Sequence, residues 1–133
     1  MTPRKLLLNV GLSLLFCILG MNADEKPTPV AVAAAAVEAN MKTPDGKAYD
    51  AQFGRELAKK YPPVMKACKD KAEGDTRSFD VLVRVEKNGA VKEVLLYPAT
   101  RISQCLREAI LKDTFSPPPK PVHWVDIHVD VKR

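Results

Sequence analysis

The sequence predicts a two-layer α+β domain, with a three-stranded antiparallel sheet and two or three helices on one face of that sheet. Three observations support this prediction. A run of alternating apolar and polar residues and a second, largely apolar run flank an Asn-Gly pair, and another alternating run lies near the end of the chain. Segments with the apolar spacing of amphipathic helices stand before the first run and between the second and the third.

The hairpin predicted over residues 79–97 has the strongest local signal. Alternate residues of its first run are apolar and share one face of a strand, namely Phe79, Val81, Val83 and Val85. The connection Asn88-Gly89 is typical of a type I′ turn, which needs positive φ at both central residues. Because an isolated hairpin is at best marginally stable in water, the remaining chain must cover this apolar face.

Residues 1–23 have the pattern of a secretory signal peptide. Arg4 and Lys5 precede an apolar stretch, and Ala23 stands before an acidic start of the mature chain. The apolar stretch is shorter than the roughly 20 residues that span a bilayer as a helix, so an uncleaved membrane anchor is the second interpretation. We expect export, with cleavage after Ala23.

Export determines how the cysteines are interpreted. Cys17 leaves with the signal peptide, whereas Cys68 and Cys105 remain in the mature chain. An even number of cysteines in an oxidising compartment indicates a disulfide, and two buried free thiols are the alternative. On the chain-entropy account, a disulfide closing a loop of this size stabilises a domain by about 4 kcal/mol.

Residues 24–48 are predicted to be a linker with an alanine-rich extension. Alanine favours helix, but residues 30–41 show no amphipathic stripe, so we expect a frayed or loosely attached helix. Thr43 to Gly46 are predicted to form a turn, because a proline is followed by Asp-Gly. The folded domain is then expected to cover residues 49–133.

The elements of this domain follow from spacing. A first helix is predicted to end before Pro62, because apolar residues recur every four positions at Tyr49, Phe53, Leu57 and Tyr61. A short second helix is predicted over residues 63–71, and residues 102–110 complete an amphipathic helical period that includes Cys105. In the last strand, residues 122–132, one predicted face consists of Val125, Ile127, Val129 and Val131, and the other of Trp124, Asp126, His128 and Asp130.

Over residues 49–132 the sequence resembles the C-terminal domains of the TonB and TolA family of periplasmic energy-transducing proteins. The residues that carry the resemblance are Tyr61-Pro62, Gly74, the strand from Phe79 to Val85, Asn88-Gly89 with Val91 and Val94, Ala109, Phe115 with Pro117 and Pro118, and the strand with Val125, Ile127 and Val129. The cysteine pair, with Gln104-Cys105-Leu106 in the helix after the hairpin, is more similar to TolA.

This resemblance implies a non-enzymatic periplasmic domain that binds envelope proteins and serves energy-dependent outer-membrane transport or envelope integrity. The implied partner is an outer-membrane receptor or a Tol-system-like protein, bound by addition of a strand to an exposed sheet edge. The last strand is the candidate edge, where Asp126, Asp130 and Lys132 would also discourage indiscriminate pairing. The candidate partner-binding residues are Trp124, Asp126, His128 and Asp130. Because residues 24–48 make a short spacer, we expect a stand-alone exported domain, and a homodimer is compatible with this architecture.

Other functional classes have weaker support. The formal net charge of +5 includes no basic run longer than two residues, so a nucleic-acid interface is not predicted. No catalytic or cofactor-binding constellation and no small-molecule site is predicted. His123 and His128 are expected on opposite faces of the last strand; a metal site of His128 with Asp126 and Asp130 is conceivable, but a solvated strand face is favoured.

Two alternatives stay open from the sequence. Trp124 either anchors a partner or packs against Tyr97 or under the N-terminal segment. The chain as a whole could instead be a small exported inhibitor or adaptor of an envelope hydrolase, with the proline-rich residues 116–121 as a rigid inhibitory loop.

Overall fold

The computed structural model describes residues 26–131. The predicted signal peptide and its cleavage site, and also Lys132, lie outside the described residues. In chain order the elements are α1 (Pro29–Asn40), α2 (Pro44–Lys60), α3 (Pro62–Asp70), β1 (Phe79–Glu86), β2 (Val91–Tyr97), α4 (Arg101–Leu111) and β3 (Val122–Val129). The strands form one antiparallel sheet in the order β2-β1-β3, which confirms the predicted α+β class. Within residues 26–131, none of the helices has the length and apolar character needed to cross a membrane.

The main core lies on the predicted face of β1. Phe79, Val81, Val83 and Val85 are all buried there, and the register places Val83 between Val94 of β2 and Val125 of β3. Helix α4 packs over β2, and α2 contributes Tyr49 and Phe53 to the same cluster. The alternation in the sequence therefore identified the buried side of the sheet.

The hairpin is present, but its predicted type I′ turn is wrong. The N–H of Gly89 donates to the carbonyl of Glu86 at 2.8 Å, and Gly89 has φ of 87° whereas Asn88 does not have positive φ. This is the three-residue loop in which a type I turn is followed by a left-handed glycine. Phe115 explains the glycine further, because its carbonyl lies where a Cβ of residue 89 would stand.

The turn predicted at residues 43–46 is instead the beginning of α2. The hydroxyl of Thr43 accepts a hydrogen bond from the N–H of Gly46 at 3.0 Å, so Thr43 is the N-cap. Pro44 follows at the first helical position, where its missing N–H costs nothing, and Asp45 suits the positive end of the helix dipole. The same residue types that favour a turn therefore start a helix, five residues before residue 49.

Helix α1 is the largest departure from the sequence-based expectation. It contacts all three strands, with most contacts to β3, and Ala33 within it is fully buried. Leu82 of β1 points away from the main core and is nevertheless 2% exposed, which indicates that α1 covers this second face. Alanine side chains are short enough for α1 to approach the strands closely without an amphipathic stripe.

A disulfide joins Cys68 of α3 to Cys105 of α4, with 5.6 Å between the two Cα atoms. The predicted pairing is therefore present. It fastens the short helix α3, which makes few contacts of its own with the sheet, to the helix that packs on β2.

Candidate functional site

Strand β3 forms one edge of the sheet. The N–H of Glu86 donates to the carbonyl of Ala90, on the side of β2. Because successive residues of a strand direct their backbone groups to opposite sides, the even-numbered residues of β1 hydrogen-bond to β2. The odd-numbered residues of β1 direct their backbone groups to β3, among them Val81, which stands opposite Ile127. The backbone N–H and C=O groups of Trp124, Asp126 and His128 therefore point outward.

The first half of this edge is closed by the corner between α1 and α2. The side-chain amide of Asn40 donates to the carbonyl of Trp124 at 3.3 Å, and Lys120 donates to the side-chain oxygen of Asn40 at 3.1 Å. Asn40 is itself buried. A strand approaching β3 at Trp124 would have to displace these bonds.

His123 belongs to the closed half and lies on the face of β3 opposite to that of His128, as predicted, and its side chain faces the core. It is 1% exposed, and its ring packs edge-on against Tyr49 with 4.8 Å between the ring centroids. Burial lowers the pKa of His123, and the nearby positive charge of Lys120 lowers it further. Within the described residues its Nδ1 has no hydrogen-bond partner, so a charged imidazolium would be poorly accommodated.

The segment before β3 is held by α2. The hydroxyl of Tyr49 donates to the carbonyl of Ser116 at 2.8 Å, while one carboxylate oxygen of Glu56 accepts from both the N–H and the hydroxyl of Ser116. Gln52 adds a bond to the same hydroxyl. Burial, with the negative charge of Glu56, raises the pKa of Tyr49 to about 12, so its hydroxyl stays a donor. These bonds fix the path of the chain into β3.

The second half of the edge is open. Asp126 and His128 have exposed side chains, and within residues 26–131 no other element hydrogen-bonds to their backbone groups. On the same face, the ring nitrogens of His128 contact Asp80 at 2.7 Å and Asp130 at 3.1 Å. These hydrogen bonds, first that to Asp80 and then that to Asp130, raise the pKa of His128.

Acidic groups dominate this outer surface. The pKa of Asp126 is raised, chiefly because surrounding atoms displace part of the hydration of its exposed carboxyl group and then because of the negative charge of Asp80, with Asp50 of α2 adding to the repulsion. The described part of the chain holds no group of three or more histidine, cysteine or acidic side chains placed to bind a metal ion. His128 instead bridges two carboxylates on the strand face.

An apolar pocket of about 240 Å³ lies on the core side of the open half. Ile127 and Val129 of β3 form one wall, and Leu57, Tyr61, Met65 and Leu106 from the helices form most of the rest. The apolar spacing placed Leu57, Ile127 and Val129 on apolar faces, but it did not predict the pocket, because periodicity does not show where packing is incomplete.

Trp124 is half-buried and stands opposite Arg84 in the register. Tyr97 pairs with Asp80, in the row that contains His128, so Tyr97 is not the cross-strand neighbour of Trp124. The bond from Asn40 to the backbone of Trp124 places this residue beside α1. Of the two interpretations left open by the sequence, this position favours packing under the N-terminal segment.

Comparisons with known protein families, with characterised proteins and with solved structures find no match.

Proposed function

We propose that this chain is a non-enzymatic protein-interaction domain of the TonB/TolA C-terminal type, exported to the periplasm by residues 1–23. It binds an extended segment of an envelope protein, which adds to the sheet as a strand beside β3. The observation that carries this proposal is the open second half of β3, where the backbone groups of Asp126 and His128 face outward next to an apolar pocket.

The open edge is short, so the backbone alone would not hold a partner. A backbone hydrogen bond contributes only about 0.5–1.5 kcal/mol net, because bonds to water are lost when it forms. The two residues Asp126 and His128 offer only a few such bonds. Side-chain contacts of the added strand, particularly in the pocket beside Ile127 and Val129, must supply the remaining affinity.

The test is a pull-down from envelope extract with the chain from Asp24, its disulfide intact. One bait carries Asp126→Pro and His128→Pro, which remove two outward N–H donors at positions where an edge strand tolerates proline. The matched bait carries Asp126→Asn and His128→Gln, which change the same side chains but keep both N–H groups. Circular dichroism and thermal unfolding confirm that each bait is folded.

We expect the unmodified bait to capture an envelope protein and the proline bait to lose it. The Asn/Gln bait should still capture the same protein, in smaller amount because its edge lacks the Asp126 carboxylate. Equal capture by the folded proline bait would show that β3 is not the binding edge, and an inhibitor or adaptor function through another surface would then be favoured.

A further inference from the structure

We infer that the preferred partner strand alternates apolar and basic side chains. This inference rests on the proposed function and on the two faces of the open half of β3. The apolar residues of this strand enter the pocket beside Ile127 and Val129, and the basic residues lie against Asp126 and its neighbouring carboxylates.

The alternation of the added strand follows from sheet geometry. Residues directly opposite one another on neighbouring strands point to the same face, with their Cβ atoms about 4.5–5.5 Å apart. A partner residue opposite Ile127 therefore extends to the core side, and its two neighbours extend to the outer side. One partner strand consequently meets both surfaces at once.

The core side selects an apolar residue. Ile127, Val129, Leu57 and Met65 are only partly buried although they pack against the main core, so the pocket exposes carbon surface at the edge. Filling it removes apolar surface from water, which is favourable in proportion to the area removed. A polar or charged side chain would find no hydrogen-bonding side chain among these four residues.

The outer side selects a positive charge. Asp80, Asp126 and Asp130 cluster around His128, and Asp50 of α2 adds to the negative field at Asp126. His128 already contacts Asp80 and Asp130, whereas Asp126 makes no ion pair within residues 26–131. A lysine or arginine opposite Asp126 would relieve the repulsion among these carboxylates, and an acidic residue there would increase it.

The experiment uses three synthetic peptides of about ten residues, a usual strand length. They alternate valine with lysine, valine with glutamate, and serine with lysine, and none of them contains an aromatic residue. Trp124 is the single tryptophan of the chain and lies two residues from Asp126, so its fluorescence reports binding at neutral pH. We expect the valine–lysine peptide to bind at least about tenfold more tightly than the other two, and more weakly at high salt.

Two protein variants separate the pocket from the carboxylates. Ala58→Leu places a larger side chain at the pocket wall, and Ala51→Leu makes the same change on an exposed part of α2 away from the pocket. Asp126→Asn removes the carboxylate at the edge, and Glu108→Gln removes one on α4. We expect Ala58→Leu and Asp126→Asn to weaken binding of the valine–lysine peptide several-fold, and both controls to leave it unchanged.

Equal affinity for the three peptides would overturn the inferred preference, and so would their failure to bind while the proline-sensitive pull-down succeeds. Strand addition itself would stand in both cases. Unchanged binding of the valine–lysine peptide by the folded Asp126→Pro/His128→Pro variant would instead overturn strand addition at β3.

Discussion

The two halves of β3 differ in whether another part of the chain bonds to their outward backbone groups. At Trp124 the corner between α1 and α2 places Asn40 on the strand, and His123 is buried against Tyr49. From Asp126 onward no other described element bonds to the outward backbone, and a pocket lies beside the strand. An exposed edge invites uncontrolled pairing, so closing one half and surrounding the other with charge limits which strands can add.

The largest expected loss of stability follows removal of the disulfide, which joins two helices that line the pocket beside the open half. Cys68→Ala with Cys105→Ala is expected to lower the free energy of unfolding by about 2–5 kcal/mol, the usual loss when a small domain is deprived of a native disulfide. The bond fastens α3 to α4, and these helices contribute Met65 and Leu106 to the pocket. Urea unfolding of the variant measures the loss. A change below the error of that measurement would show that the helices hold together without the bond.

The two histidines give a paired test of the two halves. His123→Ala is expected to cost about 2–4 kcal/mol, since it empties a buried site of a large side chain. His128→Ala is expected to change the unfolding midpoint much less at neutral pH, because that ring is 60% exposed. Urea unfolding of both variants provides the comparison. Similar losses would contradict the assignment of a structural first half and an open second half.

Breaking the contact of Asn40 with Trp124 is expected to cost less free energy of unfolding than removing the disulfide or the His123 side chain. Asn40→Ala removes the donor to the Trp124 carbonyl and the acceptor for Lys120, and should destabilise the fold by about 1–2 kcal/mol. Glu38→Ala, an exposed change in the same helix, is the control. If the two variants unfold at the same urea concentration, Asn40 does not hold α1 on the edge.

The same histidines should respond to pH in opposite directions. The raised pKa of His128 means that its stabilising contribution is present below about pH 6.5 and is lost as pH rises through the folded-state pKa. The lowered pKa of His123 means that its contribution is present above about pH 6.5 and is lost as pH falls through the folded-state pKa. Asp80, Asp126 and Asp130 act on His128, and Lys120 acts on His123.

Urea unfolding between pH 5 and pH 8 separates these two contributions. Between these limits, which bracket the ordinary histidine pKa of about 6.5, His128→Gln should make stability rise more steeply with pH than in the unmodified chain. His123→Gln should make the same rise shallower. Identical pH profiles for the unmodified chain and His128→Gln would show that the contacts to Asp80 and Asp130 do not bias the protonation of His128.

Much of the fold could be predicted because its signals are local. Alternation identified the buried face at Val81 and Val83, and helical spacing placed Phe53 inward. The sequence did not show that Ala33 would pack on the second face, because a helix rich in alanine lacks a polar and an apolar side. The choice between turn and helix at Thr43 was ambiguous, since an N-cap followed by proline uses the same residues.

The site was predictable only in part. Alternation placed Asp126 and His128 on an outer strand face, and the structure confirms that β3 is an edge. The closure of the edge by Asn40 depends on a contact 84 residues apart in sequence, and the pocket depends on how three helices meet β3. Neither feature has a sequence period.

Amide hydrogen exchange along β3, resolved by residue with NMR, tests strand addition most directly. In the unbound chain, we expect slow exchange at Ile127 and Val129, which donate to β1, and fast exchange at Asp126 and His128. Adding the valine–lysine peptide should then slow exchange at Asp126 and His128. Strong protection of Asp126 and His128 before any peptide is added would contradict strand addition at β3, because the edge would already be occupied.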